Sequence, residues 1–475
     1  MRVGAPWSGL PCEIRHSILM VIVRDRYPGW ASLASVCTEW QSVIETENLR
    51  KITLDEDSLK ELKKNITNER RDRVQHIYLN VGLLTYDCNF CREEEDMIEM
   101  GVNTGLVIGP LFKLLKVLSS WPSRSPGKGL KLELNAYSDS DCMHWYRHYY
   151  YGAPIQEWKT PIPLHDPYHG WTGGNRTETG LPSYIWRIYG LIRGVGAFVV
   201  RRSFRRCILP SVMGKILQMM PCLEELIYEP WRTWFYAYDV LFQMDPDMVL
   251  DIDTPETTVR KLVIFENTSD ELSVALHEIP GYDNFQEQVM PIITGAFAWA
   301  STAYEEIWVS LLFDARIFFC YCLEDYTWWN LRSLCLTSLV LHSEFPADAA
   351  ALLHKAATVA MRMPKLHTLV LWNGEQQGHA CAFIYRNSSL GPSITWRGTW
   401  DIDLYLTAVI VDAWKAVVSQ TGWEDLSVCF ERVQEEICCL GDAIYYLRLP
   451  CQVIEPQSLW EMRREERMIV PSSLI

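Results

Sequence analysis

Positive charge is in short supply: 44 Lys and Arg face 59 Asp and Glu, a formal net charge of -15 at neutral pH. A field of that sign repels phosphate backbones and anionic lipid, so neither nucleic acid nor a membrane surface is expected as the main partner. The basic clusters Arg201-Arg202 and Arg205-Arg206 are too small to reverse it. No run of about 18 consecutive apolar residues occurs, and the first residues lack the apolar core of a secretion signal. An intracellular location, cytoplasmic and/or nuclear, is therefore expected. The 15 cysteines are odd in number and irregular in spacing, and they are expected to be reduced.

Motifs for bond chemistry are missing as well. Gly194-Val195-Gly196 lacks the third glycine of a dinucleotide loop, and Gly127-Lys128 lacks the earlier glycine of a phosphate loop. His277-Glu278 has no second histidine one helical turn on, and no Gly-x-Ser-x-Gly elbow occurs. Cys88-x-x-Cys91 has zinc-like spacing but no second pair to complete four ligands. No catalytic residue, metal or cofactor is expected. The chain is read as a non-enzyme.

What is present is apolar and periodic. Pro11 suits the first turn of a helix and Glu13 favours its dipole; Ile14, Ile18 and Ile22 then recur at steps of four, with Leu19 beside them. Tyr27-Pro28-Gly29 breaks the run, and Leu33, Val36, Cys37, Trp40, Val43 and Ile44 form a second series, divided near Cys37. Fewer than 50 residues in short helices make too small a core to stand alone, so some of this surface must pack on another surface, within the chain or on a partner.

Leu10-Pro11-x-Glu13-Ile14-x3-Ile18-Leu19, followed by Leu33-Ala34-Ser35-Val36-Cys37-x2-Trp40, resembles the F-box, the three-helix module that docks on the Skp-type linker of cullin ubiquitin ligases. The resemblance covers residues 1–50. It implies that Leu10, Pro11, Ile14, Ile18, Leu19 and Val36 contact the linker, and that Trp40 belongs to the module's own core. Residues 21–30 are less regular than is typical of the family.

Beyond Leu49 the charged stretch from Asp55 to Gln75 reads as a spacer or first repeat, within a segment 51–135 of linker helix and repeat-like units. A recurring unit follows, in which a helical stretch precedes a short strand written Leu-x-x-Leu-x-apolar; MPCLEELIY at Met220 to Tyr228 and MPKLHTLVL at Met363 to Leu371 are the clearest pair. Strand-like segments start at 223, 259, 304, 331, 366 and 423, so the spacing is uneven. This is similar to a degenerate leucine-rich-repeat array over residues 183–475. The expected fold is thus α+β or α/β: an N-terminal three-helix module, then an irregular solenoid of helix-strand units whose parallel strands line one surface. An ordinary doubly wound α/β domain is the alternative. Residues 136–182 interrupt the pattern with Gly, Pro and aromatics, as a binding insertion or as a cap on the array. Arg463, Arg464, Glu465, Glu466 and Arg467 read as a solvated, mixed-charge helix face.

Phe204 to Arg232 and Tyr445 to Glu466 resemble a family of filamentous-fungal F-box proteins with a repeat-like C-terminal region. The resemblance implies a substrate-recruiting subunit of a Skp-cullin-F-box ubiquitin ligase, partnered by the linker, through it a cullin, and an unidentified target protein. A binding scaffold outside the ligase, with a degenerate F-box, is the other reading.

Overall fold

A computed structural model describes residues 7–25, 27–87, 97–125, 127–142, 191–204, 208, 210–231, 258–267, 282–342, 344–376, 378–400 and 407–469. Most of the aromatic insertion, Cys88, Cys91, the 205–206 pair and His277-Glu278 lie outside these residues.

The chain opens with α1 (Cys12–Asp25), a 3-10 turn (Trp30–Ser35) and α2 (Thr38–Arg50). Gly29 sits at φ 83°, a conformation other residues rarely adopt, which explains why the chain turns there. The second apolar series divides at Val36-Cys37, as its pattern predicts. α2 ends at Arg50 and β1 (Lys51–Leu54) starts at the next residue.

Among the described residues, twelve strands then make one sheet in strict chain order. After β1 come β2 (His76–Gly82), β3 (Leu130–Tyr137), β4 (Val195–Val200), β5 (Glu225–Tyr228) and β6 (Lys261–Phe265). They are followed by β7 (Glu306–Ser310), β8 (Ser333–Thr337), β9 (Thr368–Gln376), β10 (His379–Ser388), β11 (Gly391–Gly398) and β12 (Ser427–Arg432). Strands β1 to β9 are parallel throughout. The expectation of parallel strands then fails: β9, β10 and β11 form an antiparallel meander, and β12 returns parallel to β11. The turn between β10 and β11 uses Gly391 at φ 110°. Among the described strands, chain order also leaves no point where the strand sequence reverses, the crevice in which doubly wound sheets hold ligands. At the mouth of β3 and β4 two backbones meet at Gly129 and Gly196, where a Cβ on either would overlap the other's main chain. That contact accounts for a glycine in the Gly194-Val195-Gly196 run without any nucleotide.

One sheet face is covered along its length by helices. These are α3 (Glu56–Asn65), α5 (Met97–Leu118), α6 (Pro210–Gln218), α7 (Tyr282–Ala300), α8 (Ala315–Tyr321), α9 (Pro346–Ala360) and α10 (Ala408–Ser419), with the single turn α4 (Asn68–Arg71) at the end of α3. The segment 55–75 is therefore part of the helical layer on the sheet: Asp55 and Ser58 cap α3 reciprocally, and Leu59 and Leu62 are buried in the shared core. Over residues 101–118, α5 is long and apolar enough to cross a membrane by length and composition. Lys113 and Lys116 interrupt its apolar run, so a count of consecutive residues misses it. Half of that stretch is buried, with Val107, Leu111, Leu114, Leu115 and Leu118 in the core, as befits a core helix.

The opposite face is not an open surface. Alternate residues Val199, Ile227, Val263, Trp308, Cys335 and Val370 form a second apolar cluster with Val433, Ile437 and the C-terminal helices α11 (Leu440–Leu447) and α12 (Pro456–Ile469). The chain thus covers the middle of this face with its own residues 433–462. Gly374 lets α11 approach β9, since a Cβ there would collide with that of Ala443. Arg463 is no solvated cation: its guanidinium donates to buried Asp442 at 2.8 Å and lies 3.8 Å over the Tyr445 ring. Trp231 packs inward and donates its indole N–H to the Arg202 carbonyl at 2.7 Å.

Candidate docking surface

The N-terminal unit hangs on one carboxylate. Glu39, in the first turn of α2, accepts from Arg15 Nε at 2.9 and 3.1 Å and from the Trp7 indole at 3.0 Å. Arg15 also donates from Nη1 to the Leu10 carbonyl at 2.6 Å, which fixes the Leu10-Pro11 corner against the start of α1. The Arg15 hydrogen bond, helped by Trp7, holds the Glu39 carboxyl below its ordinary range. Trp7 and Trp40 pack with ring centroids 5.1 Å apart and planes tilted by 57°, so half-buried Trp40 lies against the unit's own first turn.

This frame splits the apolar residues of α1 into two faces. Leu19 and Val23 turn inward and are buried, as is Ile44 of α2. Ile14, Ile18 and Val21 recur at steps of four and three on the other side and are 49%, 37% and 46% exposed. Pro11 is exposed, Leu10 is half-buried, and Val36, at the junction before α2, is 57% exposed. Five of the six residues expected at a linker contact are therefore accessible. Leu19 is the correction: fully buried, it serves the interior of the unit. Its neighbours Met20 and Val21 are exposed instead, and Val21 was recoverable from its seven-residue spacing from Ile14.

The far end of the unit is tied to the sheet. Glu45 pairs with Arg70 at 2.9 Å and Arg73 at 3.0 Å, and Arg50 donates to the Gln75 side chain at 3.1 Å. The outward stripe of α1 thus projects from an anchored base.

A second concentration of polar side chains lies on the sheet face at β2, β3 and the end of β4. Glu133 is buried with His76 Nε2 at 2.7 Å and Arg201 on its other oxygen. Burial works against its ionisation, yet the His76 hydrogen bond and the Arg201 and Lys51 charges outweigh it and hold the carboxyl at about 2. Glu229, wholly buried, has the opposite balance: burial raises its pKa although it accepts from the Arg202 and Glu455 backbone N–H groups at 3.0 and 2.6 Å. Glu455 immediately precedes α12, so Glu229 receives a free N–H at that helix start and seats the C-terminal cover on the sheet. Both glutamates are explained by structural partners. Among the described residues no group of three or more His, Cys, Asp or Glu could hold a metal ion.

A family model described as a family of unknown function, DUF6546, matches residues 253–455. The match spans β6 to the start of α12, less than half of the chain, and excludes the N-terminal helices. No curated protein and no solved structure matches the chain.

Proposed function

We propose that this chain recruits a target protein to a Skp-cullin-F-box ubiquitin ligase. The N-terminal unit docks on the Skp-type linker, and the remainder, a leucine-rich-repeat-like array, carries the target. The chain itself makes and breaks no bonds. Joining two binding functions in one molecule turns ubiquitin transfer into a local encounter, through effective concentration. The observation that carries this reading is the exposure of Ile14, Ile18 and Val36 on a unit whose Leu10-Pro11 corner is locked by Arg15 and Glu39. Burying such a side chain is worth about 1.5–3 kcal/mol gross, against the cost of association. The sequential order of the parallel strands β1 to β9 supports the repeat-array part.

The covered middle of the second sheet face moves the target site away from that surface, toward the array's edges and ends. The direct passage of α2 into β1 favours the scaffold reading, in which the N-terminal helices simply cap the sheet. Co-purification separates the two. The double change Leu10→Ala with Pro11→Ala abolishes recovery of the linker while the array stays folded; recovery of linker at the wild-type level overturns the docking assignment.

A further inference from the structure

Among the described residues the last strand, β12, ends the sheet with an unpaired edge and an exposed apolar row. Two cross-strand ladders on the helix-covered side run outward through β9, β10, β11 and β12. One passes from Leu371 to Phe383, Trp396 and Phe430, the other from Leu369 to Tyr385, Ile394 and Val428. The first three members of each ladder are buried, but Phe430 is 55% and Val428 36% exposed. Among the described residues β11 is the sole ladder partner of β12, so alternate N–H and C=O groups of its outer edge have no strand to bond. Natural sheets usually protect such an edge by keeping it short, bulged or covered. The opposite edge conforms: β1 has four residues and lies between α2 and α3.

Charge defines the occupant. Glu424 and Asp425 precede the strand, Glu435 and Glu436 follow it, and all four are exposed without a salt bridge among the described residues. Of the cations nearby, Arg397 on β11 is paired with Glu431 on β12, and Arg432 stands at the strand end. Two acidic flanks repel a second copy of the same strand in either orientation, which argues against self-pairing. A strand with basic flanks meets attraction at both ends.

We propose that β12 is a docking edge for an extended peptide segment of a partner protein, with apolar side chains at two alternate positions and Lys or Arg on both sides. The segment adds a thirteenth strand, its main chain bonding the open edge and its apolar pair extending the ladders past Val428 and Phe430. This deepens the recruiting function, on which it rests only in taking that segment to belong to the target.

The test is fluorescence anisotropy with the full chain and a labelled probe, Lys-Lys-Thr-Val-Thr-Val-Thr-Lys-Lys. Two controls carry proline at the central threonine, or glutamates in place of the lysines. Saturable binding of the probe is expected, with both controls at least tenfold weaker. Val428→Ser with Phe430→Ser, and separately Glu424→Lys with Asp425→Lys, each weaken the probe about tenfold, equivalent to about 1.4 kcal/mol, while melting temperatures stay unchanged. Lack of saturable binding overturns the proposal, as does equal binding of the proline control or of the serine variant. A chain dimer that dissociates on Val428→Ser with Phe430→Ser makes a second copy the occupant and also overturns it. No linker subunit enters the assay, so its result is independent of whether the N-terminal unit docks.

Discussion

Amphipathic helices stand at both ends of this chain, and they meet opposite fates. In α11 and α12, Ala443, Ile444, Leu447 and Met462 are buried against the sheet, because β4 to β10 offer a complementary apolar row. In α1, Ile14, Ile18 and Val21 find no such row and remain in solvent, while only Leu19 and Val23 reach the interior. Helical periodicity is the same in both. The difference lies in what the sheet presents: apolar side chains in its middle, but Lys51, His76, Tyr78, Lys131 and Glu133 at the end nearest α1. A periodic stripe therefore announces that a helix has an apolar face, whereas the face opposite decides whether it becomes core or stays exposed.

That contrast is sharpest in stability measurements. Leu447→Ala empties a site in the buried C-terminal cover and should cost about 2–5 kcal/mol, read as a lower urea midpoint. A loss below about 0.5 kcal/mol would mean that the cover contributes little and that the second sheet face is effectively open. Acid should weaken the charged end next. Glu133 titrates at about 2 in the folded chain against an ordinary 4.5, so its contribution is complete above pH 4.5 and disappears as pH falls toward 2. The linkage is worth about 3 kcal/mol. Glu229 acts with the opposite sign: with its folded pKa raised, its contribution is present below the ordinary glutamate range and fades as pH rises through the folded value. Urea midpoints of wild type and Glu133→Gln between pH 7 and pH 3 should therefore converge on acidification.

Glu229→Ala leaves the Arg202 and Glu455 N–H groups without their acceptor inside the protein, at a cost of about 1–3 kcal/mol. Hydrogen exchange should locate the loss in α12, with little change in α1. The smallest effect belongs to the exposed ridge. Ile14→Ser with Ile18→Ser should change stability by less than about 1 kcal/mol, because surface substitutions away from packed features are usually within about 0.5 kcal/mol each. A larger loss would place those residues in the core and erase the contrast between the two ends.

Much of the sheet was legible from its strands. The leucine spacing located β5 to β9 and β12 within a few residues, since inward leucines at every second position form the shared core. The β10–β11 hairpin was not, because its strands follow β9 directly, with no helix between them to mark a repeating unit. The sequence also carried an unused sign of the covered second face. Segments such as Leu262-Val263-Ile264-Phe265 and Ile307-Trp308-Val309 are apolar at consecutive positions, which only a strand buried on both sides requires. An open concave surface would have alternated. The buried charge pairs were beyond reach: Glu133 meets Arg201 across 68 positions, and Glu229 meets the Glu455 backbone across 226. At the N-terminus, periodicity identified the apolar residues of α1, but which of them face inward was set by Arg15 and Glu39. The ion pair of Arg15 with Glu39, 24 residues apart, is invisible to a helical pattern; the linker contact expected of Leu19 rests on the F-box resemblance, and the structure buries that side chain.

If the α1 ridge is an interface and not merely uncovered surface, a linker subunit binds there. Isothermal titration of a purified Skp-type linker into the full chain tests it most directly, alongside the Ile14→Ser with Ile18→Ser variant at matched stability. The expected result is saturable one-to-one binding by the wild type and at least a hundredfold weaker binding by the variant, about 2.7 kcal/mol or more. Equal affinity of the two proteins, or no heat of binding with the wild type, would contradict the account.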